Sequence, residues 1–204
     1  MPASTAAERR SRRRAAGLPS PAMMFLKGFI KHPVMVGAVA SSSQRLVRHM
    51  LSKVDFDQCK LFVEYGPGVG TFTRPVLDRL APDAKLVVID TNPDFIAYLN
   101  ATIIDSRFYA VLGSAADVKQ IVRDHGFEYA DYIASGLPFS TLPTGVGDAI
   151  AKATSEVIRP GGAFLVYQYN PKVRNFFAPY FPRIDHAMEW VNVPPAQLWW
   201  AYKD

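Results

Sequence analysis

The chain has 204 residues, of which 49% are hydrophobic and 20% are charged, and its formal net charge is +5. This length and composition predict one globular domain with a sizeable core. The single cysteine, Cys59, excludes a disulfide framework or a cysteine-rich zinc site and indicates a reducing cytoplasm, and no apolar run reaches the roughly 18 residues of a membrane-spanning helix.

Positive charge is concentrated at the start of the chain. Residues 1–53 contain ten Lys or Arg and one acid, whereas the remainder contains 13 Lys or Arg and 17 acids. Residues 1–21 are predicted to be a disordered basic tail, and residues 22–54 to form N-terminal helices that dock on a membrane and cover the site.

The docking segment is predicted over residues 22–31, where apolar side chains share one helical face with lysines at its edges. A segment of this kind lies on anionic lipid, where each basic residue contributes on the order of 1 kcal/mol. The alternatives are binding to nucleic acid phosphates and simple packing onto the core. The expected docking residues are Phe25, Leu26, Lys27, Phe29, Ile30 and Lys31.

An amphipathic helix is predicted next, over residues 41–53. Its apolar positions recur at helical spacing and are expected to face inward. They are Leu46, Val47, Met50 and Leu51.

A glycine-rich loop follows the first predicted strand, residues 61–64. The strand ends in Glu64 and opens into Gly66, Gly68 and Gly70, a pattern that lets the backbone approach a nucleotide-like ligand closely. The sixth position of the dinucleotide-binding fingerprint is Thr71 instead of glycine, which disfavours a pyrophosphate cradle. Glu64 repels phosphates and suits a ligand with an ammonium and a sulfonium, such as S-adenosylmethionine.

A second acid, Asp90, ends the next predicted strand, residues 85–90. From the strand tip, its carboxylate can accept hydrogen bonds from both ribose hydroxyls. The alternative is that Asp90 caps a helix beginning near Pro93. The interval from the glycine loop to this acid favours the ribose role.

Strands and helices alternate through the rest of the chain. Helices are predicted at 94–104, 115–124 and 145–158, and strands at 108–112, 128–134 and 163–169. This order predicts an α/β fold with a doubly wound parallel sheet. Two final strands, at about 185–193 and 197–202, leave no room for a crossover helix and should form an antiparallel hairpin at the sheet edge.

Taken together, these motifs resemble the class I S-adenosylmethionine methyltransferases. Among them, the chain is similar to the bacterial phospholipid N-methyltransferases, and more distantly to the rRNA adenine dimethyltransferases. The resemblance covers residues 25–203 and is carried by residues 25–33, 37–43, 64–73, 135–139, 168–169 and 192–196. It implies a Rossmann-like fold with seven strands, mostly parallel, a terminal antiparallel hairpin and N-terminal helices, with the S-adenosylmethionine-binding domain over residues 55–204.

Residues 135–139, Ser-Gly-Leu-Pro-Phe, distinguish the two groups of relatives. Adenine dimethyltransferases place an Asn or Asp immediately before the Leu/Ile-Pro to hold the exocyclic amine, and this chain has Gly136 there. The resemblance therefore implies N-methylation of phosphatidylethanolamine and its methylated derivatives toward phosphatidylcholine, with S-adenosyl-L-homocysteine as product. The alternatives are an rRNA adenine or small-amine acceptor, and a membrane-binding protein with a vestigial cofactor fold.

The resemblance and the spacing together give a set of expected site residues. Ser114 stands where the family commonly has an Asp that accepts from the adenine amine. No metal site and no stable nucleic acid partner are expected, and the protein is expected at the inner face of the cell membrane. The cofactor-binding residues are Glu64, Gly66, Gly68, Gly70, Thr71, Asp90, Thr91, Ser114, Ala115 and Ser135; the catalytic residues are Ser135, Gly136, Leu137 and Tyr169; the substrate-binding residues are Pro138, Phe139, Lys172 and Arg174.

Overall fold

A computed structural model of the chain describes residues 44–139, 142–192 and 195–204. The basic tail and the docking segment predicted for residues 1–31 lie outside these described residues.

Seven strands form one sheet in the order β3-β2-β1-β4-β5-β7-β6. Strands β1 to β5 pair in parallel, and β7 pairs antiparallel with both β5 and β6. The fold class and the terminal hairpin predicted from the sequence are therefore confirmed. The strands are β1 (Leu61–Tyr65), β2 (Lys85–Asp90), β3 (Phe108–Leu112), β4 (Ala130–Ser135), β5 (Ile158–Gln168), β6 (Arg183–Glu189) and β7 (Ala196–Tyr202).

Helices cover both faces of this sheet. The predicted amphipathic helix is observed from residue 44 to residue 51, and its four apolar residues are buried as expected. The predicted helix at 115–124 begins with a single 3-10 turn. The helices are α1 (residues 44–51), α2 (Thr73–Leu77), α3 (Pro93–Thr102), α4 (Val118–Asp124), α5 (Val146–Val157) and α6 (Arg174–Phe177).

Strand β5 begins five residues earlier than predicted, because Gly161 and Gly162 lie within the strand instead of before it. A Cβ atom at Gly162 would lie 2.4 Å from the carbonyl oxygen of Asp131 on β4. Glycine is therefore needed at this position so that the two strands can approach each other.

The core has two halves, one on each face of the sheet. One face packs against α4 and α5, and the other packs against α1, α2 and α3. Trp199 and Trp200 point to opposite faces and are both buried, and the indole N–H of Trp200 donates to the Met50 carbonyl at 2.8 Å. The terminal hairpin is thus anchored to α1 through the core.

At the amino-terminal edge of the sheet, Asp131 ties three strands together. Its carboxylate accepts from the backbone N–H groups of Lys60 and Leu61, both at 2.8 Å, and from the Arg159 side chain. The buried carboxylate is the shared acceptor of all three donors and so links β1, β4 and β5.

Candidate cofactor and acceptor site

The glycine loop begins where β1 ends. Gly66, Gly68 and Gly70 have φ values of +63°, +55° and +84°, a backbone region that L side chains rarely adopt. The Gly66 amide donates to the carbonyl of Ile89 at 2.9 Å, which holds the loop beside the end of β2. A Cβ atom at Gly68 would meet no heavy atom within 4 Å, so open space lies in front of the loop.

Two carboxylates flank this loop on the same face of the sheet. Glu64 is buried, and its Oε2 accepts from the Thr73 hydroxyl at 2.7 Å. Burial raises the pKa of Glu64 to about 7, the Thr73 hydrogen bond opposes that rise, and the Asp90 carboxylate adds to it. Asp90 is half-buried and accepts from the Asn92 amide at 2.8 Å. Burial also raises the pKa of Asp90, although the amides of Asn92, Gly68 and Thr91 act against this.

These groups fit S-adenosylmethionine. Two carboxylates that can accept hydrogen bonds, one of them buried, flank a glycine loop that has open space in front of it. Carboxylates in such a place favour a ligand that brings cationic groups and hydroxyl donors, because burying them without partners is unfavourable.

The remaining predicted cofactor-binding residues lie at strand ends around the same edge. Thr71 and Thr91 are exposed in the loops after β1 and β2. The Ser114 hydroxyl accepts from the Ala116 amide at 3.1 Å, so it already caps the 3-10 turn that contains Ala115.

Ser135 needs a correction, because its side chain is on the opposite face of the sheet from Glu64. The register pairs Ser135 with Tyr65 and Val166, both of which belong to the other half of the core. Its hydroxyl accepts from the Leu137 amide at 3.2 Å and is buried. Through this hydrogen bond Ser135 fixes the start of the loop that follows β4.

Residues 136–139, the acceptor loop predicted from the sequence, lie against the glycine loop. The Leu137 side chain packs over Gly66, with its Cδ2 only 2.9 Å from the place where a Cβ atom would be. The Gln168 side-chain amide donates to the Leu137 carbonyl at 2.5 Å. Gln168, at the end of β5, therefore holds the acceptor loop in place.

The structure buries one predicted substrate-binding residue, Phe139, and exposes one predicted catalytic residue, Tyr169. Phe139 is 1% exposed and packs against Phe176 with ring centroids 5.7 Å apart, so its ring belongs to the core. Tyr169 is 55% exposed and takes a 3.5 Å contact from Asn192 in the β6–β7 turn. Pro138 continues the loop, and Lys172 and Arg174 are exposed just after β5.

Sequence reasoning missed Tyr167, which lies closer to the acceptor loop than Tyr169 does. Its hydroxyl lies against Gly136, and its ring stacks on Phe72 with centroids 4.9 Å apart and planes at 16°. Tyr167 lies in β5, whereas Tyr169 is one residue beyond the end of that strand. The sequence shows two tyrosines near the end of an apolar strand, but it does not indicate which of them lies beside residue 136.

No group of His, Cys, Asp and Glu in residues 44–139, 142–192 and 195–204 could hold a metal ion. No helix in the described part of the chain is long and apolar enough to cross a bilayer.

Known structures share this architecture. The N-methyltransferase NodS from Bradyrhizobium japonicum, solved with S-adenosyl-L-homocysteine, superposes with a TM-score of 0.61 at 15% identity, covering 79% of this chain and 85% of that one. The O-methyltransferase from Bacillus cereus, also solved with that product, gives 0.61 at 14% identity, covering 78% and 81%. These similarities establish the fold.

Sequence comparison identifies the family. No protein-family profile matches the chain. Ribosomal RNA small subunit methyltransferase A of Mycoplasma mycoides is 26% identical over 121 residues, which are 55% of this chain and 44% of that protein. The ornithine lipid N-methyltransferase of Singulisphaera acidiphila is 30% identical over 175 residues, covering 85% of this chain and 91% of that protein. The chain therefore belongs to the family of that lipid N-methyltransferase, within the class I S-adenosylmethionine-dependent methyltransferases.

Proposed function

We propose that this chain methylates the primary amine of phosphatidylethanolamine and its methylated derivatives at a membrane surface. The observation that carries the proposal is the acceptor loop, where Gly136 lies beside the cofactor face without a side chain to hold a base. The family relative that acts on a lipid amine supports the same acceptor chemistry.

We assign the cofactor to the face formed by Glu64, the glycine loop and Asp90. When bound there, S-adenosylmethionine supplies a methyl group on a sulfonium. Glu64 offers its carboxylate to the cationic part of the ligand, and Asp90 offers its carboxylate to the ribose hydroxyls. Thr71, Thr91, Ser114 and Ala115 line the same strand ends.

The chain contributes to the reaction mainly by alignment. Gln168 and Ser135 hold the acceptor loop, and Leu137 packs it against the glycine loop. Holding two reactants in the productive geometry can contribute about 7–11 kcal/mol to a barrier. The acceptor nitrogen must be neutral to react, so an ammonium headgroup first gives one proton to water at the open side of the loop.

The lipid phosphate has a candidate partner in the exposed cations that follow β5. Lys172 and Arg174 lie at the carboxyl ends of the parallel strands, on the same edge as the acceptor loop. Exposed cations at this position can donate charge-assisted hydrogen bonds to a headgroup phosphate.

Exposed apolar side chains support docking of this edge on a membrane. Of the six large apolar residues that are exposed in the described residues, four lie at the carboxyl edge of the parallel strands. They are Leu112, Tyr169, Trp190 and Val191. Trp190, in the β6–β7 turn, is 72% exposed, and tryptophan favours the interface between water and lipid. The predicted docking segment of residues 22–31 would add to this surface.

Trp190→Ala is expected to weaken binding to vesicles that contain an anionic lipid by roughly tenfold, because an indole no longer enters the interface. Ile104→Ala is the matched control, since Ile104 is 98% exposed but follows α3 at the opposite edge of the sheet. Vesicle co-sedimentation measures both. Equal binding by the two variants would show that the β6–β7 turn does not meet the membrane.

Ornithine lipid is the second candidate acceptor, because the relative from Singulisphaera acidiphila is named for it. It also offers a primary amine, with a carboxylate in place of the phosphate. The acceptor loop suits either amine.

The function is tested by incubating the full chain with methyl-labelled S-adenosylmethionine and vesicles that contain one amine lipid at a time. We expect label in phosphatidylethanolamine, as mono-, di- or trimethylated product. Label only in ornithine lipid would replace the proposed acceptor with the second candidate. Label in neither lipid would contradict the proposed function.

A further inference from the structure

Gly136 is not one of the glycines with a positive φ, so its backbone conformation does not explain why residue 136 is glycine. A Cβ atom at this position would lie 2.3 Å from the hydroxyl oxygen of Tyr167 and 2.8 Å from its Cζ. The phenol therefore occupies the volume that a side chain at residue 136 would fill. Glycine at 136 and tyrosine at 167 are complementary in shape.

The surroundings of Tyr167 hold its hydroxyl at the cofactor face. Leu165, two residues earlier on β5, is in register with Ala134, and Ala134 with Glu64, so all of them share one face with Tyr167. Phe72 stacks on the ring and fixes its plane. The hydroxyl therefore lies beside Gly136 of the acceptor loop, on the face of the sheet that carries Glu64.

This hydroxyl is neutral and can accept a hydrogen bond from a ligand. Burial raises the pKa of Tyr167, and the Glu64 and Tyr169 groups act in the same direction, so the phenol keeps its proton at physiological pH. No hydrogen bond joins the hydroxyl to another residue in the described part of the chain. A neutral phenol has lone pairs that accept a hydrogen bond.

We propose that the Tyr167 hydroxyl, lodged against Gly136, is the amine-binding subsite, where it accepts an N–H from the lipid amine and turns the nitrogen lone pair toward the cofactor face. The inference rests on the proposed function and deepens it. Tyr167 acts as a positioning residue and takes no proton.

The chemistry of the acceptor gives this subsite a distinctive signature. A neutral primary amine has two N–H groups and its monomethyl derivative has one, whereas the dimethyl derivative has none. The hydroxyl can therefore orient the primary amine and its monomethyl derivative by accepting a hydrogen bond from each. It cannot orient the dimethyl derivative in this way. Losing the hydroxyl should slow the first two methyl transfers and leave the third nearly unchanged.

Tyr167→Phe tests this, because it removes the hydroxyl and keeps the ring that stacks on Phe72. We expect the first and second transfers to slow about tenfold, the loss typical of one buried hydrogen bond, while transfer to the dimethyl lipid stays within twofold of the wild type. Tyr132→Phe is the matched control, because it removes the hydroxyl of a buried tyrosine near the amino end of β4, where that hydroxyl accepts from the Asp55 amide at 3.2 Å. It should leave all three rates unchanged. Equal slowing of all three transfers, or of none, would overturn the inference.

Binding and stability give readouts besides activity. With S-adenosyl-L-homocysteine present, Tyr167→Phe should bind dihexanoyl phosphatidylethanolamine about tenfold more weakly and its dimethyl derivative equally well. Its melting temperature should match the wild type, whereas Gly136→Ala should melt lower because the new methyl group meets the phenol. If the wild type methylates no lipid, the proposed function fails; if it methylates lipid and Tyr167→Phe shows no selective loss, only the subsite fails.

Discussion

Glu64→Gln is expected to weaken binding of S-adenosylmethionine about 100-fold, or about 3 kcal/mol. The substitution keeps the shape of the side chain and the hydrogen bond with Thr73, and it removes the buried negative charge that the cationic ligand would meet. Isothermal titration calorimetry measures the change in affinity. The matched control is Glu189→Gln, since Glu189 is equally buried but pairs with Arg45 and His49.

The pKa of Glu64 adds a pH signature. Without ligand, the carboxyl is protonated below about pH 7, and a bound cation favours the ionised form. Binding near pH 6 should therefore release a proton, and affinity should rise as pH rises to about 7. Calorimetry in buffers of different ionisation enthalpy counts the proton. Absence of proton release from the wild type, or its persistence in Glu64→Gln, would contradict the role of Glu64.

The same group affects the stability of the ligand-free protein. The pKa of Glu64 is raised from an ordinary value of 4.5 to about 7, so the unfolded chain loses this proton at lower pH than the folded chain does. The contribution of Glu64 to stability therefore falls as pH rises from 4.5 to about 7, by about 3 kcal/mol in total. Glu64→Gln should lack this fall, which urea unfolding of both proteins at several pH values would show.

Asp131→Ala is expected to lower the free energy of unfolding by about 4 kcal/mol. The change leaves the backbone N–H groups of Lys60 and Leu61, and the Arg159 guanidinium, without the carboxylate that they share. Urea denaturation reports the midpoint and the slope. A shift of the midpoint at constant slope is expected, because the residue acts on the folded state.

Asp83→Ala is the control for Asp131. Asp83 also pairs with Lys60, at 2.5 Å, but both side chains are exposed, so its loss should barely change the unfolding midpoint. Equal destabilisation by the two variants would show that the buried carboxylate of Asp131 contributes no more to the free energy of unfolding than the exposed carboxylate of Asp83 does.

Local sequence patterns were enough to predict much of this fold. The alternation of apolar strands with amphipathic helices predicted the parallel sheet, and the short connection before Ala196 predicted the hairpin. Glu64 and Asp90 could be found because each is an acid at the carboxyl end of an apolar run, and the ends of neighbouring parallel strands meet at one edge.

The parts of the site that sequence reasoning missed depend on contacts between distant segments. Whether Tyr167 or Tyr169 is level with Gly136 is decided by the register of β4 and β5, which pairs Ser135 with Val166. Phe139 is buried by Phe176 and Gly147, both of which follow later in the chain. The start of β5 was predicted five residues too late, because the close approach of Gly162 to β4 is not visible in the local sequence.

We propose that the chain transfers methyl groups from S-adenosylmethionine to a lipid amine. A single competition reaction tests this proposal: it combines the purified full chain with methyl-labelled S-adenosylmethionine, vesicles of total bacterial membrane lipid and unmodified ribosomal RNA. We expect label in the amine lipids, where mass spectrometry would find added methyl groups on the headgroup. Label in the RNA, with the lipids unlabelled, would contradict it.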